Sequence, residues 1–274
     1  LKVSAVATKG SIAMDKLKAD FIKVAPGAES AAVAGLALTA KSVILVGERA
    51  SESAGLFTSV AALAAKTGAK VAYIPRRAGE RGALEAGALG NILPGGRPVM
   101  DAAARVDIAA AWGVDSLPAT PGRSASEIID ALTSGDLDAV VVGGVDALDL
   151  PHGREAIAAL KKSFVVSLEI APSSVTAVAD VVLPVAAITE KSGSFLNWEG
   201  RARAFDSAVA DSHNRSDVRI LSMLADALGN PISLGTVTSS AREFNQLGSW
   251  DGSRVQLAPV AAGAAKSVSG NEAL

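Results

Sequence analysis

The chain has 274 residues, enough for one or two domains with a sizeable core, and its 26 basic and 28 acidic residues leave a net charge of −2. That balance offers no field for a phosphate backbone, so no nucleic acid is expected as a partner. The absence of cysteine excludes disulfides, thiolate zinc sites and cysteine-held iron–sulfur clusters within this sequence, and no apolar run approaches the ~18 residues of a membrane span, so no direct membrane insertion is expected.

Aromatic residues are 4% of the chain against 49% hydrophobic overall, so the core is expected to consist of small aliphatic side chains under alanine-rich helices. The chain opens at Leu1 without an initiator Met, which reads as an excerpt or a processed product. From Ser11 to Lys23, Ala13, Leu17 and Phe21 recur every four residues and predict an amphipathic helix. A second helical stretch, Ala28 to Ala40, runs into "SVILVGE", four apolar β-formers closed by Gly47 in the manner of a strand buried on both faces. Ser53 to Ala69 again has helical spacing with a stop at Gly68, and "KVAYIP" is the next strand, ended by Pro75.

Between Pro75 and Gly122 the pattern lapses. Arg76, Arg77, Arg81, Arg97 and Arg105 stand among Gly79, Gly82, Gly87, Gly90, Gly95 and Gly96, with only a weak helical patch near 102–111, and a loop of this length predicts a functional or disordered segment. Guanidinium groups and glycine nests suit phosphates or carboxylates; arginines that pair with acids or meet a protein neighbour explain the composition equally simply. "SASE" (Ser124 to Glu127) is a capping box opening a helix through Leu132, "DAVVVGG" is another buried strand, and "GREAIAALKK", "FVVSLEI" and "DVVLPV" continue the alternation, with a helical turn near Val175.

Strands alternating with helices predict an α/β fold: a doubly wound, mainly parallel sheet with helices on both faces over residues 1–188, dinucleotide-binding-like in outline. Ligands in such sheets sit beyond the carboxyl ends of the strands, which directs attention to Gly47 and Glu48 and to Gly143 and Gly144. Neither junction contains G-x-G-x-x-G or G-x-x-x-x-G-K-[ST], so a glycine that merely makes the turn competes with a diphosphate site.

"TEKSGSFLNWEGRAR", Thr189 to Arg203, breaks from its alanine-rich surroundings. "SFLNW" and "RARAF" each alternate about Glu199 and Gly200, predicting a hairpin that would bring Lys191, Arg201 and Arg203 near Gly193 as a small cationic patch. After it Ser216 caps a helix whose Val218, Leu221, Leu224 and Leu228 form the predicted apolar face, stopped by Gly229. Residues 189–233 thus read as a hairpin and helix leading to the start of a second, smaller domain, and 234–274 as a truncated linker. His152 and His213 stand alone and read as capping or surface residues, and no G-x-S-x-G elbow, triad or carboxylate pair is present.

Taken together, Val165 to Arg203 resembles the molybdopterin oxidoreductase superfamily, whose "T-x-x-A-D-V-V-L-P" is matched by Thr176, Ala179, Asp180, Val181, Val182, Leu183 and Pro184. Its "E-K-x-G-[ST]-[FY]-x-N-x-E-G-R" is matched by Glu190, Lys191, Gly193, Ser194, Phe195, Asn197, Glu199, Gly200 and Arg201. "GALEAGALGNILPGGRPV" and "AAAWG" look like the large iron–sulfur subunits of NADH-quinone oxidoreductase, respiratory complex I, in their actinobacterial form. The resemblance covers roughly Val43 to Gly229.

The resemblance implies a fragment, with cysteine-rich cluster domains before it and a β-barrel-like domain after it. In active relatives the strand-end loops and the E-K-x-G segment border two molybdopterin guanine dinucleotides, while an earlier Cys, selenocysteine or Ser holds the metal. The complex I version is a degenerate relative without that cofactor. The implied role is a non-catalytic support for NADH-to-quinone electron transfer, with no cofactor in this fragment and iron–sulfur clusters elsewhere in the full-length subunit. Gly47, Glu48, Gly143, Gly144, Lys191, Gly193, Asn197 and Arg201 are then vestiges of a cofactor rim, with Lys191 and Arg201 expected in local pairs. Expected partners are the other subunits of the complex I peripheral arm, on the cytoplasmic side of the cell membrane. Two alternatives stay open: a molybdopterin-dependent enzyme of the formate dehydrogenase or nitrate reductase type, and a stand-alone binder of a nucleotide diphosphate at the Gly47 or Gly143 turns.

Overall fold

The computed structural model describes residues 1–150, 152–209, 212–232 and 235–253. Leu1–Glu80 forms one compact unit, and the described residues from Arg81 onward form a second.

In the first unit β1 (Ser4–Ala7) and β2 (Asp20–Lys23) pair in parallel, with α1 (Ile12–Lys16) between them. The single helix expected from Ser11 to Lys23 is therefore corrected. Ser11 caps one short helix through Met14 N–H, the backbone turns left-handed at Lys18 (φ 50°), and the chain extends. Five helical residues close too few hydrogen bonds to propagate alone, and a spacing of four serves both a helix and alternate positions of a strand. Then follow α2 (Glu29–Ala34), β3 (Val43–Gly47), α3 (Leu56–Thr67) and β4 (Lys70–Ile74), with β3 and β4 parallel and Val46 opposite Tyr73.

As the sequence predicts, α3 stops at Gly68, whose φ of 74° suits a residue without Cβ. Val33, Val46, Ala50, Val60 and Leu63 make the core of this unit, with Val6, Leu36 and Leu38 packed against it. Ser30 is buried there, and its hydroxyl is satisfied by Ser59 Oγ at 2.6 Å and Gly55 O at 3.3 Å, tying α2 to α3. Val43 and Leu45 of β3 remain 59% and 66% exposed, so the core covers one side of the strand only.

The chain continues with α4 (Glu80–Glu85), β5 (Ile92–Leu93), β6 (Arg97–Pro98), α5 (Ala102–Trp112), α6 (Ala125–Ser134), β7 (Ala139–Gly143), α7 (Gly153–Leu160), β8 (Phe164–Glu169), β9 (Val181–Pro184), β10 (Gly193–Leu196), β11 (Ala202–Phe205), α8 (Asp217–Ala227) and α9 (Val237–Leu247). The long irregular loop expected over 75–122 is thus corrected to two helices and a small antiparallel ladder of β5 with β6. The glycines there allow close backbone approach: Gly122 N–H donates to Gly90 O at 2.7 Å, and a Cβ on Gly90 would stand 2.5 Å from Gly122 O.

Arg97 explains much of that segment's order. Its side chain is 5% exposed, and Nε and Nη2 donate to Asp107 Oδ2, each at 3.2 Å. Nη1 donates to Pro94 O at 3.1 Å and Gly248 O at 2.9 Å, and Nη2 donates to Leu247 O at 3.1 Å. The guanidinium also lies 5.6 Å from the Trp250 ring centroid, while Trp250 N–H donates to Gly95 O at 2.9 Å. A buried cation is tolerable only when its donors are filled, and the carbonyl groups at the end of α9 present the negative end of a helix dipole.

The sheet of β7, β8 and β9 is parallel throughout. Leu132, Ala156, Ala159, Leu160, Val165 and Val175 pack α6 and α7 on one side, while Leu168, Val185 and Ile220 bring α8 to the other. Capping follows the sequence at α6, where Ser124 Oγ accepts from Glu127 N–H and Glu127 Oε2 accepts from Ser124 N–H at 2.7 Å. The expected apolar face of α8 is corrected: Ile220 and Ser222 are buried, whereas Leu221 and Leu228 are exposed. That helix meets the sheet along a line centred on Ile220, one residue round from the face read by leucine spacing.

The architecture is α/β with parallel pairing, as expected. Among the described residues the parallel strands form three separate small sheets, β1–β2, β3–β4 and β7–β8–β9, beside the antiparallel β5–β6 and β10–β11. Each ladder joins strands that are neighbours in sequence, the pairings with the least loop to close. In the stretch expected as linker from 234, residues 237–247 instead form α9, capped by Thr236 Oγ1 on Ser239 N–H at 3.1 Å. The low-pattern tail over 254–274 lies outside the described residues.

Leu132 is 3% exposed at the centre of its cluster, so Leu132→Ala should cost about 2–5 kcal/mol in urea denaturation. Arg97→Lys keeps the charge but loses the fork, and should still cost on the order of 3 kcal/mol, with loss of the Trp250 environment visible by fluorescence.

Candidate functional site

The carboxyl ends of the parallel strands are where the sequence places a ligand rim. In the first unit Gly47 ends β3 in extended conformation, and nothing within 4 Å would oppose a Cβ there. Glu48 follows at the start of a 3-10 turn, its Oε2 buried, without a hydrogen bond, and 3.6 Å from Arg76 Nε. After β4, Arg77 Nη1 stands 3.8 Å from Glu80 Oε1, and Glu80 Oε2 is also buried without a hydrogen bond. Burial pushes the Tyr73 phenol up, and the Glu80 and Glu48 carboxylates add to the effect. This strand end therefore holds two carboxylates and two guanidinium groups that face one another.

In the second unit Gly143 ends β7, and Gly144 follows with φ 63°, its N–H donating to Leu168 O at 3.1 Å. Two residues on, Asp146 accepts from Ser174 Oγ at 2.5 Å and from Leu148 N–H at 3.0 Å, while Ala147 N–H donates to Ser174 Oγ at 3.2 Å. The Ser174 hydroxyl foremost, then the Leu148 amide, hold the Asp146 carboxyl below its usual range. The loops after β7 and β8 are thereby bolted to each other across the strand ends.

The segment from Ala187 is organised by Glu190. Its Oε2 accepts from Ala187 N–H at 2.8 Å, Ser212 Oγ donates to Oε1 at 2.8 Å, and Asn214 Nδ2 reaches both oxygens, at 2.9 and 3.1 Å. Lys191 forms an ion pair with Asp217 at the first turn of α8. The hairpin forms in the register that alternation implies, Phe195 opposite Arg203 and Leu196 opposite Ala202. Phe195 and Phe205 stack at 5.1 Å between centroids, and the Phe205 ring lies over Gly193, where a Cβ would stand 2.8 Å from Phe205 Cζ.

At the hairpin tip Asn197 Oδ1 accepts from Glu199 N–H at 3.0 Å and Arg201 N–H at 2.8 Å, and Gly200 supplies the left-handed φ of 83°. Arg201 Nε lies 3.2 Å from Glu199 Oε2, and Arg203 Nη1 donates to Ala202 O at 3.2 Å. The hairpin thus brings Asn197 and Arg201 together. Lys191 is engaged separately by α8, and the expected cationic patch is divided among these local partners.

Four side chains that hold the loops carry no clear signal of that role in the sequence: Asp146, Ser174, Asp180 and Glu190. Asp180 Oδ2 accepts from Val165 N–H at 2.8 Å and fixes β9 to β8. The A-x-x-E spacing of 187–190 is the one available hint for Glu190, since a glutamate three residues into a turn can reach back to the cap amide. Among the described residues no group of three or more His, Asp or Glu side chains is gathered to hold a metal ion.

A guanine dinucleotide would need cations and free N–H groups at these strand ends. Glu48, Glu80 and Asp146 put carboxylates there instead, and Arg76, Lys191 and Arg201 are paired to acids. The residues present do not fit a bound diphosphate.

The family model for molybdopterin oxidoreductase matches residues 8–227. The chain is 46% identical over 275 aligned positions to the G subunit of NADH-quinone oxidoreductase from Streptomyces coelicolor, a match covering 92% of this chain and 33% of that protein. The corresponding G subunit of Mycobacterium tuberculosis is 45% identical over 251 positions, covering 87% and 31%. Formate dehydrogenase H of Escherichia coli is 32% identical over 158 positions, covering 56% and 22%. The chain thus spans about a third of the length of these NADH-quinone oxidoreductase relatives.

The Ala187 amide foremost, then Asn214 and Ser212, hold the Glu190 carboxyl below its ordinary range. A lowered folded value contributes stability above the unfolded value and loses it as pH falls through the folded one, so Tm should drop below about pH 4.5. Glu190→Gln should lower Tm near neutral pH and flatten part of that acid slope, measured by circular dichroism. Gly193→Ala should cost about 1–3 kcal/mol by overpacking, most of it recovered in the Phe205→Ala background, which a double-mutant cycle reads directly.

Proposed function

The chain belongs to the molybdopterin oxidoreductase family, and within that family we propose that it is a non-catalytic structural segment of the G subunit of a NADH-quinone oxidoreductase. The observation that carries this reading is the state of the strand ends. Glu48 and Glu80 leave buried carboxylate oxygens where a diphosphate would require donors, Glu190 spends both oxygens on neighbouring loops, and Asp146 spends its Oδ1. Identity to the NADH-quinone oxidoreductase relatives also runs over nearly the whole chain, whereas that to formate dehydrogenase H covers about half of it.

On this reading the segment contributes rigidity. Closed strand-end loops and a stacked hairpin are held by contacts within the chain, so they can support neighbouring cluster-bearing domains at fixed distances. Electrons pass from NADH toward quinone through iron–sulfur clusters outside these residues, and the partners are other subunits of the peripheral arm on the cytoplasmic face of the membrane. Among the described residues no helix is long and apolar enough to cross a membrane.

The competing reading is an enzyme of the formate dehydrogenase or nitrate reductase type that retains the pterin. Elemental analysis and cofactor extraction on the full-length protein separate the two. Iron without molybdenum, tungsten or extractable pterin is the expected result; stoichiometric molybdenum or tungsten together with a pterin overturns the proposal.

A further inference from the structure

Helix α9 has no buried residue, and its apolar side chains Val237, Phe244 and Leu247 are half-buried and belong to none of the core clusters found among the described residues. An open cleft of about 630 Å³, lined by Phe205 and Val237 among others, separates it from the base of the hairpin. Its C-terminal end is fastened by polar contacts instead. Arg97 donates to Leu247 O and Gly248 O, the Trp250 ring lies against the guanidinium, and Trp250 N–H donates to Gly95 O. Before its N-terminal end Gly235 sits close against α8, where a Cβ would stand 2.9 Å from Arg219 Nη1 and 3.2 Å from Ser222 Oγ.

We propose that α9 and the strap from Gly248 to Trp250 form a latch that opens as a single piece while the β7–β8–β9 sheet stays folded, with Gly235 as its pivot and Arg97 as its catch. Trp250 is the large buried side chain that opening exposes, and its burial together with the filled guanidinium donors favours the closed state. The catch lets go without stranding a charge. Asp107 keeps Arg97 Nε and Nη2 and Pro94 O keeps Nη1, while water takes the places of the Leu247 and Gly248 carbonyls. Once free, an 11-residue helix that contains Thr238, Ser239, Ser240 and Asn245 has too few contacts to persist in water, so release and melting are one event. Two carbonyls and a ring share one guanidinium, so these contacts are lost together and the strap is either seated or free.

The test is amide hydrogen exchange of the full-length protein, read by mass spectrometry on peptides from α9 and from β8. In the wild type the α9 amides should exchange as a group, about 100-fold faster than those of β8 and with little response to low urea, whereas β8 follows urea as global unfolding does. Two variants separate the events. Leu132→Ala weakens a core that the open and closed forms share, so it should speed β8 at least about 30-fold and leave α9 unchanged. Arg97→Lys weakens the closed form, so it should speed α9 at least about tenfold. The wild-type comparison decides the matter even where a variant fails to fold. Protection of α9 equal to that of β8, α9 accelerating together with β8 in Leu132→Ala, α9 unmoved by Arg97→Lys, or α9 exchanging in the wild type at the rate of an unstructured peptide overturns the proposal.

Discussion

Acidic side chains turned back onto backbone amides set the shape of three of the loops at the strand ends of the second unit. Asp180 takes Val165 N–H, Asp146 takes Leu148 N–H and the Ser174 hydroxyl, and Glu190 takes Ala187 N–H with Ser212 and Asn214. Short strands leave many amide donors at their ends, and a donor withdrawn from water without a partner costs about 1–3 kcal/mol. A carboxylate answers that need better than a neutral acceptor, because the bond is charge-assisted. Such acids are pinned in one orientation, and the loops are pinned with them.

This arrangement limits the chemistry available. A general base or a cation ligand needs free acceptor capacity, and the Glu190 carboxylate has both oxygens committed, while Asp146 has its Oδ1 committed. The cations are treated in the same way: Lys191 is neutralised by Asp217 and Arg201 by Glu199. In the first unit Glu48 and Glu80 keep oxygens without a hydrogen bond, and their carboxylates face Arg76 and Arg77. Charge is present at both sets of strand ends in an order that stabilises loops, which is the physical basis of the proposed supporting role.

What could be read from the sequence was what is local. The Ser124 and Glu127 capping box, the stop at Gly68 and the alternation on either side of Glu199 and Gly200 each depend on residues within a few positions, and the structure has all three. Local spacing misled where two periods agree, so that Leu17 and Phe21 suggested a longer helix and hid β2. Leucine spacing chose the wrong face of α8 because the helix is oriented by a sheet that spacing does not know about. Of the candidate site, the turn made by Asn197 lay within reach, whereas the partners of Lys191, 26 positions away, and of Glu190, 22 and 24 positions away, are products of the fold. Arg97 stood among arginines that looked alike in sequence, and only the packing around it singles it out.

The reach of Arg97 has a consequence for biosynthesis. Its contacts with Leu247 and Gly248 span 150 and 151 residues, so a chain leaving the ribosome cannot complete them until α9 has emerged. Until then a guanidinium destined for the interior must remain hydrated or lean on Asp107 and the Pro94 carbonyl. The β5–β6 region would accordingly be among the last parts of its unit to mature during synthesis, and a transcript stopped before residue 247 would yield a nascent protein unable to finish its own interior.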